Sequence, residues 1–140
     1  MKNQVTSIEQ SRRLIGLGVP AEKASMGWFE EMECNAAEEW QVPTGKKWVG
    51  ERDNVSKPDN AVAPAFTVAD LLRMLPKKIT TQRGKVHMLH IGPCSSTSPC
   101  WCLYWGDEDV QIGWQERISF LHLLEDAIEW LLLNGYKLEA

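Results

Sequence analysis

The sequence predicts a single α+β domain over residues 1–140, with a mainly antiparallel sheet of about five strands packed against two or three helices. Helix-capping patterns occur near both ends of the chain, and β-compatible runs separated by short turns fill residues 85–114. Hydrophobic residues make up 44% of the 140 residues and charged residues 24%, as expected for one globular domain. A domain of this size buries roughly two-thirds of its unfolded surface, so a core needs no metal or disulfide.

The composition excludes several classes of protein. A net charge of -4 argues against a protein whose main function is to bind phosphate backbones, so nucleic acid is a disfavoured partner. No run approaches the ~20 apolar residues that span a bilayer, and residues 1–7 lack the apolar core of a signal peptide. We therefore expect a cytoplasmic protein without membrane contact. In that reducing compartment four free thiols with unrelated roles are expected at Cys34, Cys94, Cys100 and Cys102.

The first helix is predicted over residues 7–17. Ser7 and Gln10 have the spacing of a capping box, in which each side chain accepts a hydrogen bond from the backbone N–H of the other residue. Gly18 can adopt the left-handed conformation that ends a helix, and Pro20 cannot continue it.

Residues 21–40 fit either a helix or a strand on the sequence alone. Their alanine, glutamate, methionine and lysine content favours a helix. Met26, Trp28 and Met32, however, lie at even spacing with charged residues at intervening positions, which indicates a strand with one buried face. Gly27 in the middle weakens a helix by about 1 kcal/mol relative to alanine.

The segment that follows is predicted to be mostly irregular. Residues 43–45 are typical of a turn, and residues 46–49 are a candidate short strand. Residues 51–64 are polar, contain Pro58 and Pro64, and are predicted to form a loop.

The second helix is predicted to begin at a capping box formed by Thr67 and Asp70. Phe66, just before the cap, can pack on Leu71 as a hydrophobic staple. Pro76 stops the helix after about two turns, so this short element must be held by tertiary packing.

A β-hairpin is predicted over residues 101–114, preceded by a strand at residues 86–91 and a loop at residues 93–99. A four-residue turn in this hairpin brings three apolar pairs together: Trp105–Val110, Leu103–Ile112 and Trp101–Trp114. Because every pair is apolar, one face of the hairpin is predicted to be buried, and a one-residue slip destroys the match.

Seven tryptophans are unusual in an otherwise ordinary composition. The predicted register buries the three in the hairpin, and Trp130 lies beside the core stripe of the last helix. Trp28, Trp40 and Trp48 are left as candidates for a binding surface. The opposite face of the hairpin is the predicted interaction surface, with Cys102, Tyr104 and Gln111.

The last helix is predicted to begin near Ser119 and to end at Asn134 and Gly135, a common left-handed stop. Helical periodicity gives it an apolar core stripe of Leu121, Leu124, Ile128 and Leu131. His122 and Asp126 lie on its polar side at i, i+4 spacing, which predicts a surface pair.

Three short stretches, which together span most of the chain, carry a family resemblance. They are Leu17-Gly18-Val19-Pro20 leading into Ala24-Ser25-Met26, Pro64-Ala65-Phe66-Thr67 leading into Leu71-Leu72-Arg73-Met74-Leu75-Pro76, and the closing helix through Trp130 with Asn134-Gly135-Tyr136. In these stretches the chain resembles uncharacterised small cytosolic proteins carried by prophages and mobile elements of gut Bacteroidetes. The resemblance implies that residues 24–33 form a strand, and it implies no activity, substrate or catalytic residue.

Five potential zinc ligands lie within sixteen residues of sequence: His87, His90, Cys94, Cys100 and Cys102. Zinc prefers four nitrogen or sulfur ligands in a tetrahedron. The spacing lacks a Cys-x2-Cys knuckle, and two histidines three positions apart on a strand point to opposite faces. We therefore expect no metal or cofactor and retain these residues as the site of an alternative function.

Three other candidates are weaker. A nucleophilic thiol at Cys94 would need a base such as His87 or His90, and no carboxylate nearby in sequence can orient that base. Residues 107–109 are acidic but offer too few ligands for calcium, so they are predicted to form a solvated turn. A basic cluster could meet single-stranded nucleic acid with help from exposed tryptophans, and its members are Lys77, Lys78, Arg83 and Lys85.

The folding signals are strong, whereas no converging catalytic set is visible. We therefore expect a non-enzymatic interaction or accessory module of a phage or mobile element, with an unknown protein partner or a second copy of the chain. Two alternatives remain open. One is a small enzyme or zinc site on the Cys94–Cys102 loop with His87 or His90, and the other is a weak nucleic-acid binder.

Overall fold

Three α-helices and seven antiparallel strands make up the computed structural model of the protein, which describes residues 5–30, 35–39, 61–94 and 99–139. In chain order they are α1 (Ile8–Leu17), β1 (Met26–Glu30), β2 (Asn35–Glu39), β3 (Ala61–Ala65), α2 (Val68–Met74), β4 (Lys78–Thr80), β5 (Val86–Pro93), β6 (Trp101–Gly106), β7 (Gln111–Arg117) and α3 (Phe120–Leu133). A short 3-10 helix, Ala21–Lys23, lies between α1 and β1.

The strands form two sheets, with the orders β2-β1-β3 and β4-β5-β6-β7. The chain is a single α+β domain, as predicted, although two sheets replace the predicted single sheet of about five strands. Its contacts gather into two compact units, Met1–Asp70 and Leu71–Ala140. Within the described residues, none of the helices is both long enough and apolar enough to cross a membrane.

Helix α1 begins and ends as its capping pattern predicts. The Ser7 hydroxyl accepts a hydrogen bond from the Gln10 N–H at 3.1 Å, and the Gln10 side chain accepts one from the Ser7 N–H at 2.7 Å. Gly18, with a φ of 111°, ends the helix in the left-handed conformation.

Strand β1 is the centre of the three-stranded sheet and carries Trp28 into the core of the first unit. Met26 lies opposite Glu39 of β2 on one side and Ala65 of β3 on the other. The indole N–H of Trp28 donates a 2.8 Å hydrogen bond to the Thr6 carbonyl, and the residue is 7% exposed. Its buried neighbours in the core cluster are Val5, Ala63 and Ala65. The prediction that Trp28 belongs to a binding surface is therefore wrong.

The Asp70 carboxylate joins the start of α2 to the segment that precedes β1. Thr67 and Asp70 form the predicted capping box, with backbone-to-side-chain bonds of 2.9 and 3.1 Å. Asp70 Oδ2 also accepts bonds from the backbone N–H and the hydroxyl of Ser25, at 2.9 and 2.8 Å. Because Asp70 is 1% exposed, these donors replace water around its charge. The two residues of the predicted staple, Phe66 and Leu71, are fully buried.

In the described part of residues 21–65, three strands (β1, β2 and β3) occupy positions that the sequence alone left undecided or assigned to a loop. Residues 26–30 are a strand, within the range 24–33 that the family resemblance implies, and residues 35–39 form a second strand beyond that range. Residues 61–64 belong to β3, so the predicted loop over residues 51–64 is wrong there. Among the described strands β3 lies at the edge of its sheet, which is where prolines in strands are tolerated. The remaining predictions here lie outside the described residues: the rest of the loop, the strand at 46–49, Trp40 and Trp48.

The β6–β7 hairpin is confirmed, but its register is wrong by two residues or more. The observed pairs are Trp105–Ile112, Leu103–Gln115 and Trp101–Arg117. The pairs are already two residues out at Trp105, because the four-residue turn spans residues 107–110 rather than 106–109. A bulge at Gly113, which has a left-handed φ of 69°, adds a third residue of shift opposite Tyr104. A β-carbon at Gly113 would lie 2.8 Å from the ring of Trp130 in α3, so only glycine permits this approach of the helix.

The observed register brings two of the three hairpin tryptophans to the surface. Trp105 is fully buried, and its indole N–H donates to the Pro76 carbonyl at 3.0 Å. Trp114 is 43% exposed on the other face of the sheet. Trp101 is 42% exposed, with its ring centroid 5.1 Å from that of Phe120. The predicted burial is therefore correct for Trp105 and wrong for Trp101 and Trp114.

Helix α3 packs its apolar stripe against the inner face of the four-stranded sheet. Ser119 is its N-cap, and Gly135, with a φ of 81°, follows its last turn, as predicted. Trp130 stacks between Trp105 and Tyr136, with ring centroids 5.8 and 5.4 Å away. The predicted core stripe is buried, and two further residues are buried with it, Leu123 and Ala127.

Replacing Asp70 by asparagine is expected to lower the free energy of unfolding by about 2–4 kcal/mol. Three donors converge on one carboxylate oxygen, and a neutral amide oxygen satisfies them less well. Urea denaturation followed by tryptophan fluorescence measures the loss. The matched control is Asp109→Asn in an exposed turn, which is expected to change stability by less than about 0.5 kcal/mol. A loss below about 1 kcal/mol for Asp70→Asn would contradict this account.

Gly113→Ala is expected to destabilise the protein more than Gly135→Ala. Both positions have a left-handed backbone that costs about 1–2 kcal/mol for alanine. Only the β-carbon at position 113 meets another side chain, the ring of Trp130, which adds about 1–3 kcal/mol of overpacking. Thermal unfolding of the two variants measures the difference. Equal losses of stability in the two variants would show that the contact between residue 113 and Trp130 does not restrict this position to glycine.

Candidate functional site

One face of the four-stranded sheet packs against α3, and the other presents apolar and aromatic side chains to solvent. We term this second surface the open face and define it by five residues: Val86, Met88, His90, Tyr104 and Trp114. Val86 and Met88 are 52% and 53% exposed. Lys78 of β4 pairs with Met88 and shares this face, because paired residues point to the same side of a sheet.

Three rings of the open face form a row across β5, β6 and β7. The ring centroids of His90 and Tyr104 are 5.3 Å apart with planes 22° from parallel. Tyr104 and Trp114 are 5.4 Å apart with planes 15° from parallel. The Tyr104 ring therefore has a stacked neighbour on each side, one from β5 and one from β7.

The predicted interaction surface overlaps the open face only in part. Tyr104 is the central ring of the row, and Gln111 is exposed at the start of β7. Cys102 is 8% exposed, with its sulfur 3.8 Å from the Pro93 carbonyl oxygen, so it offers little surface to a partner. Sequence reasoning missed the contribution of Trp114 because it assigned this residue to the buried face. Polar and apolar residues do not alternate in the run from Val86 to Ile91, so the sequence did not show which face of β5 is exposed.

The two histidines of the proposed zinc set lie on opposite faces of β5, as their spacing predicts. His87 is 6% exposed and lies opposite Ile79 of β4, whereas His90 is exposed on the open face. Cys102 is a free thiol buried in β6. The structure therefore does not bring the five candidate ligands together around one point.

Cys94 and Cys100 form a disulfide bond across the ends of β5 and β6. Their Cα atoms are 5.7 Å apart, and the Cys94 N–H donates to the Cys100 carbonyl at 3.0 Å. The expectation of free thiols with unrelated roles is therefore wrong for this pair, and the sulfur of Cys94 is not a free nucleophile. The two residues face each other because the strands that precede and follow them pair, Pro93 with Trp101. Cys34 lies outside the described residues.

A carboxylate from β7 completes this cluster. Glu116 Oε1 lies 3.6 Å from Cys100 Sγ, and the sulfur and oxygen atoms of Cys94, Cys100 and Glu116 all lie within 4.8 Å of one another. An open cavity of about 650 Å³ adjoins the cluster. Its lining comes from the end of β7 and the first turn of α3, with Cys100 from the loop: Cys100, Glu116, Arg117, Ile118, Ser119 and His122.

Arg117 at this cavity is paired. Its Nε donates to Asp126 Oδ2 at 2.6 Å, and this hydrogen bond raises the pKa of the Arg117 guanidinium. Asp126 therefore binds Arg117, and the predicted pair of His122 with Asp126 is wrong. The hairpin connection to α3 is short, which brings the end of β7 within reach of the second turn of the helix.

Two turns of opposite charge lie at the same end of the four-stranded sheet. Leu89 pairs with Trp105, so the start of β5 is adjacent to the end of β6. The β4–β5 turn carries Arg83 and Lys85, and the β6–β7 turn is the acidic segment 107–109. The predicted basic cluster is therefore neighboured by carboxylates, which weakens its attraction for a phosphate backbone.

The acidic turn is organised by Asp107. Its Oδ1 accepts hydrogen bonds from the N–H groups of Asp109 and Val110 at 2.8 and 2.9 Å. The bonds from Val110 and Asp109, and then the charges of Lys85 and His87, hold the pKa of the Asp107 carboxyl below its usual range.

The fold and these two features define an α+β protein with an exposed aromatic sheet face and a disulfide beside an open cavity. Comparison with protein-family models, with curated proteins and with solved structures finds no match to this chain. Its function must therefore be argued from the side chains and their geometry.

Asp107→Asn is expected to lose stability relative to the wild type at neutral pH, and the difference is expected to shrink in acid. A lowered folded-state pKa stabilises the protein above the unfolded pKa, and this stabilisation is lost as the pH falls through the folded value. The urea midpoints of the two proteins should differ by a constant amount from pH about 7 to about 5 and converge below about 4. A difference that does not change down to pH about 2 would contradict the assigned role of the carboxylate.

Proposed function

We propose that this protein is a non-enzymatic interaction module that docks a second copy of its own chain on the open face. The observation that carries the proposal is the exposure of Val86, Met88 and Trp114 around the half-buried Tyr104. The resemblance to proteins of prophages and mobile elements supports an accessory role in such an element as part of the same proposal.

The open face has the composition of a protein interface. Aromatic residues and methionine are enriched at interfaces, and exposed apolar side chains that adjoin one another mark interaction sites on soluble proteins. Met88 is unbranched and can adapt its shape to an opposing surface. Burial of such side chains on both copies is favourable by about 25 cal/mol for each Å² of apolar surface removed from water.

The charged turns favour a second copy of the chain as the partner. A twofold axis parallel to the strands lays β4 of one copy over β7 of the other. The basic β4–β5 turn, with Arg83 and Lys85, then lies opposite the acidic turn 107–109 of the partner copy, and the same contact occurs twice. Complementary charges at the rim of an apolar interface fix its orientation.

A nucleic-acid partner has less support. Proteins that bind single strands stack bases on exposed ring faces, whereas the Tyr104 ring has a stacked neighbour on each side, His90 and Trp114. The acidic turn lies beside Lys85, and the chain carries a net charge of -4. These features oppose the salt-dependent attraction on which such binding depends.

The alternative of a metal or catalytic site that uses His87 or His90 also has less support. His87 is buried on the inner face, and His90 is stacked on Tyr104. The carboxylate beside Cys100 is instead Glu116, which no sequence pattern indicated. Any chemistry of the Cys94–Cys100 pair is therefore considered without His87 and His90.

Met88→Lys is expected to raise the dissociation constant of the dimer by at least about tenfold, which corresponds to about 1.4 kcal/mol. Two buried charges enter each symmetric interface, because each copy contributes one. Sedimentation equilibrium over a range of concentrations measures the constant. The control is Leu133→Lys, which changes an apolar residue on α3 that is 67% exposed and lies off the open face. A wild-type protein that stays monomeric up to about 1 mM, or equal effects of the two variants, would refute the proposal.

Reversing the charges of the two turns tests the twofold arrangement. Arg83→Glu and Glu108→Arg are each expected to weaken the dimer, because each places like charges opposite one another. The double variant is expected to recover most of the wild-type affinity, and all the differences should diminish at high salt. If the double variant dimerises more weakly than either single variant, the two turns do not face each other.

A further inference from the structure

The disulfide and its cavity provide a chemistry that docking on the open face does not use. We propose that Cys94 and Cys100 are a thiol–disulfide exchange site, which a low-molecular-weight thiol reduces and the corresponding disulfide reoxidises. The site is at the end of β5 and the start of β6, at the opposite end of the sheet from the charged turns. Its activity can therefore be measured independently of dimerisation.

Access to the pair is through Cys100. This residue is half-buried and lines the open cavity beside Glu116, so a small thiol can reach it from solvent. Cys102, two positions along the strand, is 8% exposed and has no bonded partner sulfur. The residues that line the cavity include Cys100 and not Cys94, so a thiolate that enters it meets Cys100 Sγ first, and the thiol of Cys102 offers no disulfide bond to attack.

The exchange proceeds in two displacements. The incoming thiolate attacks Cys100 Sγ, the bond between Cys94 and Cys100 breaks, and Cys94 leaves as a thiolate that takes a proton from water. A second thiolate then attacks the sulfur of the bound small thiol, so Cys100 is released and the small thiol leaves as its own disulfide. In total, two small thiols are oxidised to one disulfide, and the protein disulfide is reduced to two thiols. The reverse sequence reoxidises the pair.

Glu116 is a positioning residue that stabilises the reduced form of the pair. Its Oε1 lies 3.6 Å from Cys100 Sγ, which is within hydrogen-bonding distance for a sulfur donor. The reduced Cys100 can donate its S–H to this carboxylate, whereas the disulfide has no proton to donate. Glu116 therefore shifts the exchange equilibrium toward the dithiol, because it gains a bond only in that state.

The test is redox titration of the intact protein in mixtures of reduced and oxidised glutathione. At equilibrium the free thiols are trapped with a maleimide and counted by mass spectrometry. Beyond any labels on Cys34 and Cys102, we expect two further labels to appear together in the wild type as the mixture becomes more reducing. Cys94→Ser is expected to lose this paired step, because Cys100 then has no partner within the chain. Glu116→Ala is expected to need ~2–10-fold more reducing mixtures for half-reduction, and Glu116→Gln to fall between, because an amide oxygen still accepts a hydrogen bond.

The matched control is Glu139→Ala, which removes an exposed carboxylate that belongs neither to this cluster nor to the proposed interface and is expected to titrate like the wild type. Circular dichroism confirms that each variant is folded. A pair that stays oxidised until the protein unfolds would overturn the proposal, as would a titration unchanged by Glu116→Ala. Stoichiometric zinc held by the reduced protein through Cys94, Cys100 and Glu116 would also overturn it, because the cluster would then be a metal site.

Discussion

The approach of α3 to β7 is the constraint on which the open face depends. The ring of Trp130 occupies the space that a side chain at residue 113 would need, so this residue is glycine. The left-handed backbone of Gly113 adds one residue to β7 and turns Trp114 toward Tyr104. Without the bulge, strict alternation from Ile112 would place Trp114 under the helix. The packing of a single helix thus decides which aromatic side chains are available to a partner.

The disulfide between Cys94 and Cys100 bears on whether the protein functions in a reducing or an oxidising compartment. A disulfide is uncommon in a reducing cytosol, where such bonds are usually transient, catalytic or redox-sensing. The bond between Cys94 and Cys100 lies beside an open cavity and a carboxylate rather than in the core. A reversible pair is compatible with the reducing compartment that the sequence predicts, whereas a permanent structural bond is typical of an oxidising one.

Local patterns gave reliable predictions because their physical causes act over a few residues. The capping boxes at Ser7 and Thr67 and the cap at Ser119 join residues three positions apart, and all are observed. The hairpin was predicted from its turn, and the core stripe of α3 from its period. The register was not predictable in this way, because the turn falls one residue later than its pattern indicates and because Gly113 forms a bulge where it meets a tryptophan of a later helix.

The sequence by itself determined the α+β class, the ends of the helices and which helical face is buried, because these follow from hydrogen bonding and periodicity along the chain. Only the tertiary structure decided the contacts between residues distant in sequence. It placed the Asp70 carboxylate on Ser25, 45 positions away, and Glu116 beside Cys100, 16 positions away. It also divided the tryptophans between core and surface. Such outcomes depend on how whole elements pack, and no local preference encodes that packing.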